Sequence, residues 1–193
     1  MVTCGSSIKL RHDVTGYRLH SHEISWGSGS GQQSVTAVNS DSDTNSLWTI
    51  YGQLGQCPSS TPVSCGDVIR LKHGRTGNFL HSHNHRSPLS KQQEVSCYPD
   101  GQTDSGDYWV VECVEKTNYW MRSDAVVLRH LDTSTYLTTA RTYVFNDRNC
   151  GRNCPIAQQL EVSAKTKTTR DTKWVAAEGF FFPVPDDFDF DSL

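Results

Sequence analysis

"LRHDVTGYRLHSHEISWGSGSGQQSV", residues 10–35, and "LKHGRTGNFLHSHNHRSPLSKQQEV", residues 71–95, share one pattern, L-x-H…T-G…L-H-S-H…Q-Q-x-V. Aligning them pairs Gly5 with Gly66, Ile8 with Ile69, Leu10 with Leu71, His12 with His73, Gly16 with Gly77 and Leu19 with Leu80, at a constant offset of 61. Trp48 and Trp109 keep that offset, whereas Gln32-Gln33 and Gln92-Gln93 differ by 60, so one residue is lost in the loop between. A weaker third copy follows. Val126, Leu128 and His130 match Ile8, Leu10 and His12; Leu137 matches Leu19, Val162 matches Val35, and Trp174 matches Trp48. The chain reads as three repeats, 2–62, 63–120 and 121–182, with an acidic tail over 184–193.

Working outward from these segments, "IKLRH", "VIRLKH" and "VVLRH" alternate at period two, as half-buried strands do. T-G, S-G and G-Q steps break the chain between further short strands. Gly, Ser, Thr, Asn and Asp are abundant and helix-forming runs are missing, which predicts a nearly all-β protein. Each repeat has too few apolar residues to bury a face alone, so the copies must share one core. A period of about 60 residues is too long for propeller blades or solenoid turns, and three copies are too few. Three four-stranded lobes closing one barrel, a pseudo-threefold β-trefoil spanning 1–183 as a single domain, satisfy all of these conditions.

At 193 residues and 35% hydrophobic content the chain can fill one core. The net charge is −3, of which Asp186, Asp187, Asp189 and Asp191 in the tail supply −4. The body is therefore near neutral, and no basic patch points to nucleic acid. No apolar run is long enough to span a membrane. The start, Met1 to Gly5, enters a strand-like pattern without a leader, which leaves a cytosolic protein or one whose signal peptide has been removed. Seven cysteines favour an oxidising compartment, with cytosolic free thiols as the alternative.

Disulfide candidates are Cys4, Cys57, Cys65, Cys113, Cys150 and Cys154. Repeat register leaves two pairings open: Cys4–Cys57 with Cys65–Cys113, or Cys57–Cys65 with Cys4–Cys113. "CGRNC", residues 150–154, sits in a third-repeat insertion and reads as a local staple. Cys97 has no evident base and reads as an unpaired structural thiol.

The histidines separate into two groups. His12, His73 and His130 recur in every copy on the face of Ile8 and Leu10, which marks them as scaffold, each bonding a backbone carbonyl. His20/His22 and His81/His83 are replaced by Thr138 and Ala140 in the third copy, so the fold is expected not to need them. Residues i and i+2 of a strand share a face, so each pair projects together. With the nearby amides they make a set of donors and acceptors suited to sugar hydroxyls or peptide backbone. The binding candidates are Ser21, His22, Gln32, Gln33, Ser82, His83, Gln92 and Gln93, against the alternative of a hairpin whose polar groups bond one another. Zinc on His81, His83 and His85 is disfavoured, because the segment supplies no carboxylate or Cys to complete a tetrahedral site and the first repeat lacks a match for His85. No metal or cofactor is expected. Nucleophile elbow, P-loop and H-E-x-x-H patterns are absent from the sequence, so no catalytic residues are assigned. In the third-repeat insertion Arg141, Tyr143, Phe145 and Arg148 are candidate anchors for a protein partner.

V-T-C-G-x-x-I-K-L-x-H, R-L-H-S-H, G-S-G-S-G-Q-Q-S-V-T, N-S-x-W, S-P-L-S-x-x-Q-E-V-S and W-x-A-x-E-G-F resemble the MIR repeats of the stromal cell-derived factor 2 family over residues 2–183. Such repeats are also found in protein O-mannosyltransferases and in inositol trisphosphate and ryanodine receptors. The resemblance implies a β-trefoil of MIR repeats. It further implies a non-enzymatic protein of the endoplasmic-reticulum lumen in folding quality control and the unfolded protein response. Its partners would be a J-domain co-chaperone and its heat-shock chaperone, with client polypeptides or O-mannosyl glycans as further ligands, and the chain by itself would be a monomer. The rival implication is a lectin-like module using Leu19, Ser21 and His22 and their counterparts Leu80, Ser82 and His83. The tail "PDDFDFDSL" departs from relatives that end in a lumenal retention tetrapeptide, which leaves secretion open.

Overall fold

The computed structural model describes residues 1–54, 57–98 and 102–188. Twelve strands follow in chain order: β1 (Ser7–His12), β2 (Arg18–Ser25), β3 (Gln33–Val38), β4 (Trp48–Gly52), β5 (Val68–His73), β6 (Phe79–Arg86), β7 (Gln93–Tyr98), β8 (Trp109–Cys113), β9 (Ala125–His130), β10 (Tyr136–Val144), β11 (Leu160–Lys165) and β12 (Lys173–Phe180). Among the described residues, single-turn 3-10 helices at Thr44–Ser46, Ser105–Asp107 and Arg170–Thr172 precede β4, β8 and β12.

The pairings close a ring. β1 pairs with β4, β4 with β5, β5 with β8, β8 with β9, β9 with β12, and β12 with β1. The other six strands form three hairpins, β2–β3, β6–β7 and β10–β11. Their second strands pair with one another around the axis and cap the barrel. At the opposite end Val2 N–H donates to the Trp120 carbonyl, Val63 to Val2 and Trp120 to Val63, at 2.8, 3.0 and 2.8 Å. That triangle and the ring make a pseudo-threefold β-trefoil, whose lobes are called one to three in chain order.

The core follows the repeat register. Leu10, Leu71 and Leu128 form one buried layer, Trp48, Trp109 and Trp174 another, and Leu19, Leu80 and Leu137 a third. Cys97 takes the small-residue place of Ala37 and Ala164 in this packing, each paired to a Leu of the preceding hairpin strand. Burial pushes its thiol up to about 12, which leaves it an inert core group. Period two misreads one detail. Lys9 and Arg70, on the nominally outer face, are each only 7% exposed, Lys9 donating to the Asp41 carbonyl in the loop before β4 and Arg70 to the Gly52 carbonyl at the end of β4.

The scaffold histidines superpose in role as well as position. His12 Nε2 donates to the Asp171 carbonyl at 2.9 Å, His73 to Asn45 at 2.8 Å and His130 to Gly106 at 2.9 Å, each at a 3-10 turn. Nδ1 of each accepts from the hydroxyl of Thr15, Thr76 or Thr133. Each ring lies 5.0 Å from the indole of a neighbouring lobe, Trp174, Trp48 or Trp109. The three indoles donate in turn to the carbonyls of Leu137, Leu19 and Leu80. Burial lowers all three histidine pKa values, holding the rings neutral with the proton on Nε2.

Disulfides join Cys4 to Cys57, Cys65 to Cys113 and Cys150 to Cys154. The within-lobe pairing is therefore the one adopted, and Cys97 is free and buried. Beyond the last strand Phe181 lies under the Arg122 guanidinium, and Phe182 is tied to Thr3 and Ser6. Residues 189–193 of the acidic tail, with Asp189 and Asp191, lie outside the described residues.

Candidate functional site

The repeated L-H-S-H segment lies in the first half of β2 and β6, where each hairpin strand is still buried before it runs out to solvent. Its inner histidines are not free. His20 is 5% and His81 4% exposed, and each clamps its hairpin to the 3-10 turn of the same lobe. His20 Nδ1 meets Asp43 Oδ2 at 2.7 Å, and His81 Nδ1 meets Asp107 Oδ1 at 3.0 Å. Thr138 does the same work in the third lobe, donating to the Asp171 carbonyl at 2.6 Å. The sequence expectation treats the histidine as one the fold does not need; the structure places a clamp at this position in every lobe, with a threonine and a closer carbonyl in the third standing where the imidazole and carboxylate stand in the others. Close approach also explains Gly106, where a Cβ would run into the His81 ring.

The outer histidines complete internal chains. Ser34 gives its proton to the Ile24 carbonyl, so His22 Nε2–H donates to Ser34 Oγ at 2.9 Å. His22 Nδ1 then accepts from His20 Nε2 at 3.0 Å. Burial, with His20 and His73 nearby, pushes His22 down to about 4. Burial raises the Asp43 carboxyl, but bonds from Ser46 and His20 outweigh it and hold the group below the usual range. An Asp–His–His–Ser series of this kind resembles a nucleophile relay, yet it ends on a fully buried hydroxyl and acts as a strut.

In the second lobe His83 Nε2 donates instead to Glu94 Oε1 at 2.9 Å. Glu94 reaches across into the first lobe, accepting from Ser30 Oγ at 2.5 Å and lying against Gly29, where its carboxylate leaves no room for a Cβ and the φ of +66° favours glycine as well. Burial raises its pKa, but the His83 and Ser30 bonds win and lower it. Glu161, at the same register, reaches into the second lobe and accepts from Ser87 and from the backbone of Leu89 and Ser90. These carboxylates went unassigned from sequence. The available signal was an acid at matched places in "QQEVS" and "QLEVS", where the first repeat has Ser34.

The remaining candidates sit as follows. Ser21 and Ser82 are buried and donate to the Ser34 and Glu94 carbonyls. Gln32 and Gln92 each turn a carbonyl oxygen inward, to Ser96 and Ser163 of the next hairpin, and Gln159 accepts from Thr36 in the same manner. Gln33 and Gln93 donate to Ser21 and Ser82, and across the lobe boundary to Thr76 and Thr133. Between lobes these glutamines line two symmetry-related clefts. The first, about 730 Å³, runs between the first hairpin and the turn after β5, and includes Glu23, Gln32, Gln33, Lys72, Arg75 and Asn78. The second, about 430 Å³, repeats it one lobe on, with Asn84, Arg86, Gln92, Gln93 and Lys165. None of the charged lining residues was singled out from sequence.

The third boundary is bridged. Arg141, at the register of Glu23 and Asn84, donates to the Thr15 carbonyl at 2.8 Å, and its guanidinium stands 5.3 Å over the Tyr17 ring. Phe145 is 3% exposed in a satellite apolar cluster with Trp26, Cys154 and Ile156. Arg141 and Phe145 are thus turned to internal contacts, while Tyr143 is half-buried and Arg148 exposed. Ligand-type atoms of His81, Asp104 and Asp107 lie within 4.8 Å of one another. The histidine clamp and the cap of the 3-10 turn account for that grouping. Among the described residues no helix is long and apolar enough to cross a membrane.

A family model for the MIR domain matches residues 25–176. A stromal cell-derived factor 2-like protein of Dictyostelium discoideum is 46% identical over 186 residues, covering 94% of this chain and 84% of that protein. The crystal structure of the SDF2-like protein from Arabidopsis thaliana superposes with a TM-score of 0.88 at 38% identity, covering 96% of this chain and 99% of that one. The S. cerevisiae protein O-mannosyltransferase Pmt1-Pmt2 complex bound to the sugar donor contains a matching segment. Its TM-score is 0.81 at 30% identity, and the match covers 96% of this chain and 26% of that one.

Proposed function

The chain belongs to the MIR-domain family, with stromal cell-derived factor 2 proteins as its relatives, and from that premise we propose that it is a non-enzymatic protein of the endoplasmic-reticulum lumen acting in folding quality control. In this reading it works by contact, as a partner of a J-domain co-chaperone and its heat-shock chaperone. The observation that carries the reading is a rigid trefoil, pinned by three disulfides, that keeps two polar clefts open between its lobes. Disulfides of this number suit an oxidising lumen, and clefts on a rigid scaffold suit recognition. The test is capture from lumenal extract with the full chain as bait. Recovery of the J-domain protein and the chaperone, lost when the clefts are blocked, is the expected result. Recovery unaffected by blocking removes the clefts from the interaction.

A second reading is a lectin-like module linked to protein O-mannosylation. It is favoured by the amide-rich clefts and by the likeness to a segment of the O-mannosyltransferase complex. A glycan array separates it from the first, since a contact partner of chaperones alone would capture no sugar.

A further inference from the structure

The two open clefts occupy related positions in successive lobes, yet the second is dressed with cations alone, where the first balances Lys72 and Arg75 with an acid. Where the first has Glu23, Ser25 and Gly31, the second has Asn84, Arg86 and Lys91. At these three positions one acid is lost and two cations are gained, while the register of Arg75 carries Asp132, which lies outside the second lining. Lys165 at the end of β11 adds a third, with His85 beside it, and no carboxylate lines this cleft. In the first cleft Glu23 remains beside Lys72 and Arg75, and Lys72 sits over the Tyr51 and Phe79 rings. Among the described residues none of Arg86, Lys91, Lys165 or His85 makes an ion pair. Lys91 bonds only the Pro88 carbonyl, and Arg86 makes one long contact with the Lys91 carbonyl.

The amides differ in the same sense. Gln33 is saturated, its NH₂ on Ser21 and Thr76 and its carbonyl taken by Asn78. Thr135 stands at the register of Asn78 in the second cleft, so the Gln93 carbonyl has no protein donor among the described residues. The Gln92 NH₂ is likewise without a protein acceptor, since only its carbonyl is used. Unpaired cations beside a free carbonyl and a free amide form a composite surface. The cations need an anion, and the amides need hydroxyl groups.

We infer that the second interlobe cleft, with Arg86, Lys91, Lys165, Gln92 and Gln93, is a binding site for an anionic sugar, one bearing a phosphate or a carboxylate. The proposal rests on the glycan-binding reading and deepens it, because it gives the two clefts different ligands: a neutral sugar in the first and an acidic one in the second.

The experiment is an amide-resolved NMR titration of the full isotope-labelled chain at low salt. The probes are methyl α-mannoside, mannose 6-phosphate, glucuronate, inorganic phosphate and a tetra-aspartate peptide. Saturable shifts at Asn84–Arg86, Gln92, Gln93 and Lys165 with mannose 6-phosphate or glucuronate are expected, the tighter of the two fixing which anion is preferred. R86Q and K165Q are expected to weaken that binding by about tenfold each, as loss of a charge-assisted hydrogen bond does. Both side chains reach solvent, so melting temperatures are expected to hold. Inorganic phosphate binding as tightly as the phosphosugar means an adventitious ion only and overturns the inference, as does tighter binding of the peptide. Shifts from methyl α-mannoside at the first cleft, with none from either acidic sugar at the second, overturn this inference and leave the glycan reading standing. No response to any sugar at either cleft removes both.

Discussion

Lobes one and two keep a cleft open at their downstream boundary, whereas at the boundary of lobe three Arg141 bridges to Thr15 and Tyr17. The scaffold histidine and the tryptophan recur at all three boundaries, and a hairpin clamp recurs with them, made by Thr138 in the third lobe. The difference lies in two positions. Glu23 and Asn78 flank the first cleft and Asn84 and Thr135 the second, whereas Arg141 and Tyr17 meet across the third. Positions that obey the threefold repeat hold the barrel together. Positions that break it decide which surfaces can accept a ligand.

The disulfides show the same split and give the largest expected effects. The first two lobes each carry a long closure, with separations of 53 and 48 residues, and the third a short one of 4. In the chain-entropy account, removing either long bridge destabilises the fold by about 4 kcal/mol, and removing Cys150–Cys154 by about 2 kcal/mol. Chemical denaturation of C4S/C57S, C65S/C113S and C150S/C154S measures this directly. Equal losses would mean that the third-lobe bridge carries more than its loop.

Much of this was legible in the sequence, for a physical reason. Buried positions such as Leu10, Leu71 and Leu128 tolerate little change, so their spacing survives in all three copies, and the trefoil and its scaffold histidines follow from it. Local hydrogen-bond partners were not legible. Thr138 substitutes for His20 because a carbonyl lies closer, and distance is not written in residue type. Arg141 reaches a turn 126 positions away, a contact that exists only after the barrel closes. The two disulfide pairings were left open for the same reason.

Acid comes next, and it is expected to act on the common scaffold and, in the first lobe, on His22, which burial also holds neutral. His12, His73 and His130 are held neutral by burial, with folded pKa values below 6.5, while the unfolded chain protonates near that value. Their contribution is complete above about pH 6.5 and falls as pH drops toward the folded values. Asp43 and Glu94, with lowered pKa values, lose theirs only at still lower pH. The melting temperature is expected to fall between pH 7.5 and 5. A flat profile over that range would contradict neutral scaffold rings.

R141A is expected to open the third boundary at a cost of about 1 kcal/mol, from one hydrogen bond and one cation–π contact. A larger loss would make Arg141 part of the scaffold and weaken the contrast between lobes. The smallest effect concerns Ser123 and Ser134, which take left-handed φ values of +69° and +53° where the other lobes have Gly5 and Gly66, or Gly16 and Gly77. S123G and S134G are each expected to stabilise by about 0.5 kcal/mol, as the relieved αL strain is partly offset by glycine's greater chain entropy. Destabilisation by both would show that the third lobe uses these side chains.

Grafting the third lobe's bridge onto the other two is the most direct test of whether recognition resides in the open clefts. The variant E23R/N78Y/N84R/T135Y, checked for folding by its melting temperature, is assayed for capture of the J-domain co-chaperone and for binding on a glycan array. If the open clefts are the recognition surfaces, the folded variant retains neither activity. Full retention of both by the folded variant would place recognition elsewhere on the molecule.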